Sequence, residues 1–159
     1  MEERKCKTVR ESMTEQAYVV RPININGYGR LFGGQLMQWI DETAGFVSCR
    51  HCGTTVTTAA VDTLNFKLPA YANDLIVLVG KLTYVGRTSM EVRVDTYIED
   101  MSGMRRNINT AFLVFVSIDN NGKALEVPGL KIETLEEQAE WEAGRKRYEL
   151  RRQRHKEGY

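Results

Sequence analysis

Gly33-Gly34-Gln35-Leu36-Met37-Gln38-Trp39-Ile40-Asp41-Glu42-Thr43-Ala44-Gly45-Phe46-Val47-Ser48-Cys49-Arg50-His51 carries the period of a helix. Leu36, Ile40, Thr43 and Val47 recur at helical spacing, and Met37, Ala44 and Phe46 widen the apolar stripe. Charges are few around this segment, so it is expected to be buried on several sides. After Gly53 the period changes. Residues 54–66 are rich in β-branched types, and Pro69 closes that strand. Residues 75–85 form a long strand with Gly80 inside it, where a bulge or bend is expected. Residues 88–98 alternate, with Met90, Val92, Val94, Thr96 and Ile98 against Glu91, Arg93, Asp95 and Tyr97. A turn at Met101 to Gly103 leads to a strand over 105–118, which Asn120-Asn121-Gly122 turns.

Upstream, residues 14–21 read as a short strand ended by Pro22, and Asn24 to Gly29 has loop chemistry. The order is strand, one apolar helix, four strands. Short turns imply antiparallel pairing. The single helix buries itself only if the sheet wraps around it. One sheet and one helix leave an edge and a face uncovered, which favours a homodimer through the sheet.

Charge separates body from tail. The chain has 22 Lys+Arg against 21 Asp+Glu, a net charge of +1. That balance argues against a nucleic-acid binder. Residues 133–159 hold 14 charged residues of 27, five acids over 133–142 and seven bases with one acid over 145–156. Acids first and bases last is the order a helix dipole favours. Two units are therefore expected, a body over 1–132 and a charged helical extension over 133–159. The sparse stripe of Leu135, Ala139, Trp141, Tyr148 and Leu150 implies light docking, on the body or a neighbouring chain, or a surface helix that frays. No apolar run approaches the roughly 18 residues of a membrane span. Met1 to Cys6 precedes no apolar stretch, so no secretory leader is expected and the cytoplasm is the default location.

The chemistry concentrates where the helix begins. Gly33 and Gly34 let a group approach the free backbone N–H donors of the first turn, which suit an oxyanion or polarised carbonyl. Asp41 lies about two turns on and on the same side. Its helical neighbours are Met37, Ala44, Gly45 and Ser48, a poorly hydrating face that makes it a candidate general base. Asn26, in the preceding loop, offers an amide to orient a water or a carbonyl. Taken singly, a mid-helix Asp is a solvated residue and a Gly-Gly pair is a tight turn into a helix.

Together, Asn26-x-x-Gly29-x-Leu31-Phe32-Gly33-Gly34-x-Leu36-Met37-x-Trp39-Ile40-Asp41-Glu42 resembles the signature of hot-dog fold acyl-CoA thioesterases, in particular small bacterial members related to cytosolic acyl-CoA hydrolases. The resemblance continues in order through Val56-Thr57, Phe66-x-x-Pro69, Gly86-Arg87-Thr88-Ser89-Met90-Glu91-Val92, Ala111-Phe112 to Val116, Asp119, Gly122-Lys123 and Val127-Pro128, over about residues 12–130. It implies an α+β hot-dog fold, an antiparallel sheet around one long helix. It implies hydrolysis of acyl-CoA to CoA and a free acid, with Asp41 as general base or nucleophile. It puts Asn26 on water or substrate, the N–H of about Gly34 on the thioester carbonyl, and Gly86, Arg87, Thr88 and Ser89 where CoA binds. It also implies sites shared between two subunits and hexamers built as trimers of dimers. No metal or cofactor is expected beyond the CoA of the substrate. Arg87, and less directly the basic tail (Arg145, Lys146, Arg147, Arg151, Arg152), would meet the CoA phosphates.

Other signals lead elsewhere. Cys49-Arg50-His51-Cys52 lacks a second ligand pair for zinc and sits at a helix C-terminus, where the dipole disfavours a thiolate. A hot-dog hydratase needs a histidine beside an acid, and His51 and His155 fit that role poorly. A non-catalytic acyl-CoA sensor would be expected to carry a DNA-binding domain and to lose the acid. A purely structural dimer would not need Asn26, Gly34 and Asp41 together.

Overall fold

The computed structural model describes residues 3–159; Met1 and Glu2, at the start of the predicted body, lie outside them. The long helix α2 runs Gly33–Cys52 and ends at Gly53, whose φ of 70° lets its N–H close on the Cys49 carbonyl. Strand β2 (Thr14–Val19) precedes it, and β3 (Thr55–Phe66), β4 (Leu75–Val85), β5 (Ser89–Glu99) and β6 (Arg105–Ile118) follow. They form one antiparallel sheet in the order β2-β4-β5-β6-β3, so β2 and β3 are the open edges. The predicted strands stand, β4 and β6 with the expected ends and β2, β3 and β5 with ends moved by one or two residues.

Leu36, Trp39, Ile40, Ala44 and Val47 of α2 bury against Ile76, Leu78, Leu82, Met90, Val92, Val94 and Leu113 of the sheet. Each leucine, isoleucine, valine or methionine among them contributes about 1.5–3 kcal/mol on full burial. Trp39 also stacks on Tyr18 of β2, ring centroids 4.5 Å apart and nearly parallel. The helix is buried on one side only, contrary to its apolar circumference: Met37 and Phe46 are 43% and 49% exposed. A single sheet covers one face of a helix, and these side chains flank the covered stripe, half a turn apart on its two sides.

Gly80 corrects a second expectation. It pairs in register with Thr14 and Val94, and the irregularity of β4 falls between Leu82 and Tyr84. Gly80 is small because α2 presses there. A Cβ would stand 2.9 Å from Val47 Cγ2 and 3.1 Å from Thr43 Cγ2.

Of the expectations for the tail, docking on the body holds, more extensively than the sparse stripe implied, and the helix does not fray. Helix α3 (Leu135–Glu157), capped by Thr134 Oγ1 accepting from Glu137 N–H, lies on the sheet face opposite α2. It covers the face expected to be open. Trp141 and Tyr148 pack on Tyr84. Gly144 is buried where a Cβ would stand 2.6 Å from Tyr84 Cβ and 3.0 Å from Glu91 Oε1. The Glu91 carboxylate, fully enclosed, accepts from Thr83 Oγ1 (2.7 Å), Arg147 (2.7–3.2 Å) and Arg151 (2.9 Å). Arg147 also lies over the Phe112 ring, and Arg93 bridges Asp95 and Glu140. The polar side of β5 is thus a buried, charge-paired interface rather than a solvated face.

Short elements escaped the sequence reading. Strand β1 (Cys6–Thr8) pairs in parallel with β7 (Gly129–Lys131), α1 covers Val9–Ser12, and Pro22–Asn24 is a 3-10 turn. His51, at the end of α2, is enclosed beside the β7 approach. Its Nε2–H donates to the Pro128 carbonyl (2.8 Å), while buried Nδ1 finds no partner among the described residues. Burial, the largest influence, lowers its pKa from the ordinary value, and Lys7 and Arg4 add to this against the Pro128 hydrogen bond.

Two outcomes follow. Gly144→Val should destabilise the fold by about 1–3 kcal/mol through overpacking, read as a lower urea midpoint. His51 binds its proton less readily folded than unfolded, so stability is full above about pH 6.5 and declines as pH falls toward the lowered folded value. Thermal unfolding between pH 8 and 5.5 should show that decline in wild type and a flatter profile in His51→Gln.

Candidate active site

At the start of α2 the Phe32 carbonyl accepts from Gln35 and Leu36, and no side chain caps the helix. The N–H groups of Gly33 and Gly34 therefore have no protein acceptor among the described residues. The helix dipole adds positive potential at that point. Two rings flank the pair. A Cβ on Gly34 would strike the Phe32 ring at 2.5 Å, and one on Gly33 would stand 3.6 Å from Phe66 Cζ. Gly33 opens onto a cleft of about 330 Å³ walled by Asn26 and Phe66 and floored by Leu36, Ala70 and Ile108. The floor is buried and apolar, while Arg30 and Lys67 stand at the rim.

Asn26 is fixed by its own turn. Its backbone N–H donates to Arg30, and its Oδ1 accepts from the N–H groups of Tyr28 (3.0 Å) and Arg30 (3.2 Å). Gly29, at φ 75°, supplies the left-handed step that closes the loop. With Oδ1 engaged, the Asn26 amide has its NH2 group to offer, so it acts on a ligand as a donor.

Asp41 is half-buried on α2 and faces the edge strand, where Thr58 Oγ1 donates to its Oδ1 (2.7 Å). One oxygen is thereby oriented by the protein. Seven residues of helix separate it from Gly34, about 10 Å along the axis. Asp41 does not line the cleft that holds Asn26 and Gly33. One chain therefore presents the donors and the carboxylate at two places on one helix and does not converge them.

Gly86, Arg87, Thr88 and Ser89 form the β4–β5 turn at the other end of the sheet. Ser89 pairs with Val116, and Ile108 of the cleft lies eight residues back along β6, about 27 Å of strand. The turn is braced: Gly86 N–H donates to Ser89, Arg4 to the Gly86 and Val127 carbonyls, and Val127 N–H to Arg87. The Arg87 side chain is exposed and forms no ion pair among the described residues. The basic tail divides. Arg147 and Arg151 are taken up by Glu91 and Asp62, which corrects their assignment to CoA phosphates, and Arg145 pairs with Glu149. Cys49 and Cys52 are free thiols; burial first, then the neighbouring Cys52, raise the Cys49 pKa and disfavour the thiolate.

Thr58 is the functional candidate that the sequence reading missed. It sits in a run of five β-branched residues that read only as strand formers, and no spacing rule tells which of them faces the helix.

The sequence profile of the thioesterase superfamily matches residues 28–104. An uncharacterized acyl-CoA thioester hydrolase of Bacillus subtilis is 38% identical over 138 residues, 86% of this chain and 80% of its own. The acyl-CoA hydrolase of Staphylococcus aureus, solved with butyryl-CoA, CoA and CoA disulfide, superimposes with a TM-score of 0.90 at 33% identity, covering 96% of this chain and 93% of that one. An apo hexameric acyl-CoA thioesterase gives 0.89 at 35% identity over 94% of this chain and 97% of its own. The S. aureus enzyme has also been solved with alanine replacing an Asn, an Asp and a Thr. Its Asn and Asp are 15 positions apart and its Asp and Thr 17, the separations of Asn26, Asp41 and Thr58 here. By fold, by profile and by relatives aligned over most of its length, this chain belongs to the acyl-CoA thioester hydrolases of the hot-dog thioesterase superfamily.

Proposed function

We propose that this protein hydrolyses acyl-CoA to CoA and a free carboxylic acid. The observation that carries the reading is the Asp41–Thr58 hydrogen bond, together with Asn26 at the spacing of the Asn, Asp and Thr replaced in the S. aureus hydrolase. In the proposed reaction the thioester carbonyl lies against the N–H groups of Gly34 and Gly33, which stabilise the developing oxyanion. The Asn26 amide donates to the carbonyl or to the attacking water. Thr58 holds one Asp41 oxygen and leaves the other to take a proton from water or to attack the carbonyl itself. CoA leaves as a thiolate of ordinary thiol acidity, so expulsion needs no strong acid. Hydrolysis by this route calls on no metal or redox cofactor.

The site is proposed to form between two chains. The free edge of β3 and the exposed Met37, one turn from Asp41 on the same flank of α2, are proposed to receive a second copy. A sheet-to-sheet homodimer would bring one protomer's Asp41 to its partner's cleft at Gly33, with trimers of such dimers giving a hexamer. Arg87 and the braced Gly86–Ser89 turn are proposed to hold the CoA phosphates. No helix among the described residues is long and apolar enough to cross a membrane, and the cytoplasm is the proposed location.

Purified protein should release free thiol from acyl-CoA esters between acetyl and palmitoyl. Asp41→Asn should lower kcat by about 10²–10⁴-fold with substrate still bound; a wild type inert across the panel would leave the sensor reading. The shared site has its own readout. Asn26→Ala and Asp41→Asn homodimers should each be inactive, and random mixing of the two should restore about a quarter of wild-type activity, because hybrid dimers rebuild one intact site of two. A site built within one chain would give no recovery.

A further inference from the structure

Helix α3 crosses the sheet in strand order. Glu136 meets Lys81 and Trp141 packs on Tyr84, both of β4. Gly144 lies against Tyr84 and Glu91, between β4 and β5. Arg147 lies over Phe112 of β6, and Arg151 and Arg154 bind Asp62 of β3. From Trp141 to Arg151 the helix advances about 15 Å, and β4 to β3 is three strand spacings, about 14 Å. The helix therefore runs nearly square to the strands, and β3 is the last strand of its own chain beneath it. The stretch from Arg151 to Glu157 carries α3 about 9 Å farther, close to two strand spacings past the sheet edge.

This end stands over a groove. Register shifts between Thr58 and Ala60 and between Val61 and Thr63 interrupt β3 there, and Asp62 is the extra residue of the second bulge. Ala60 comes opposite Val114, two residues from Phe112 and so on the α3 face. A cavity of about 420 Å³ opens between Ala59 and Ala60 of β3 and His155 and Tyr159 of α3. Arg151 and Arg154 are taken up by Asp62, whereas His155, Lys156 and Tyr159 are exposed and take no part in that tie.

An antiparallel pairing of two β3 edges has its two-fold axis normal to the sheet, so both copies of α3 lie on one face and run in opposite directions. Each then carries its end over the other's edge strand. Glu149 and Glu157 are exposed on the same stretch as Arg152 and Lys156, so an antiparallel neighbour brings acids to bases. We propose that the end of α3, residues 155–159, is a clasp for a second copy of this chain: it spans the paired edges and seats in the groove over the partner's β3. The clasp rests on the edge-to-edge dimer proposed for the shared site. It gives the charged tail a part in assembly and none in the chemistry.

The test compares wild type with a variant ending at Arg154, which keeps Arg151 and Arg154 on Asp62 and so leaves α3 docked. Each is mixed as unlabelled and isotopically labelled protein, and native mass spectrometry follows the appearance of mixed dimers. The variant should exchange subunits at least about tenfold faster, since a lost interface contact acts mainly on dissociation. Its kcat on butyryl-CoA should equal that of wild type at concentrations where dimers persist. Exchange at the wild-type rate overturns the clasp. So does a variant whose dimers stay closed while whole dimers trade between hexamers, because the end then touches a different dimer. Should the variant fail to fold, His155→Glu with Lys156→Glu serves instead, since both side chains are exposed, and it should speed exchange in the same way. A wild type that stays monomeric overturns the edge-to-edge dimer and the clasp with it. A wild type that dimerises, exchanges more slowly than the variant and hydrolyses no acyl-CoA overturns the thioesterase reading and supports the clasp.

Discussion

The contact between α2 and β4 at Gly80 sets the depth of the helix in the sheet. Thr43 and Val47 occupy space that any side chain at position 80 would take. Their seating fixes the axis of α2, and both ends of the proposed chemistry are mounted on that axis. The N–H groups of Gly33 and Gly34 are oriented by it directly. Asp41 is carried outward from it toward β3. A helix set higher would separate Asp41 from Thr58, because a hydrogen bond of 2.7 Å tolerates little displacement. Packing on one face of the sheet therefore decides geometry that hydrogen bonds alone do not hold.

The other face obeys different physics. Glu91 is a carboxylate with no solvent contact, and an unpaired charge there would be very costly. Arg147, Arg151 and Thr83 satisfy it, and the arginines come from the tail. Burial of Glu91 and docking of α3 are thus one event: without the helix the carboxylate is hydrated, and with it both charges are enclosed. Such a pair adds little net stability over an apolar contact of the same shape, but it specifies one seating. Gly144 serves the same end, since its missing side chain lets α3 lie directly on Tyr84 and Glu91. Packing against one face and ion pairing against the other hold the sheet between two helices.

This division explains what the sequence disclosed. The long helix and four long strands were legible because their periods are long and uninterrupted. Asn26, Gly34 and Asp41 were legible through a spacing that a resemblance supported. Gly80 was misread because a bulge and a close helix approach both require a missing side chain, and sequence does not distinguish them. The tail helix was legible but the extent of its docking was not, because its stripe is sparse; its anchors are arginines, which look solvated until their partners on β3 and β5 are placed. Thr58 was invisible for a related reason. Strand parity assigns a face only in a regular strand, and the bulges after it break that parity where the face matters.

The separation along α2 carries a last consequence for the proposed site. Donors and carboxylate on one straight helix, about 10 Å apart, cannot both touch a thioester whose reacting atoms span about 3 Å. Bending the helix would break the packing at Gly80. Two copies of the helix, running antiparallel across a two-fold axis, set one copy's start beside the other's second turn. The edge strand that makes this pairing possible is the strand that holds Asp41 through Thr58. An open β3 edge, an exposed outer face of α2 and a divided set of proposed catalytic groups are therefore one feature of the chain, seen from the sheet, the helix and the chemistry in turn.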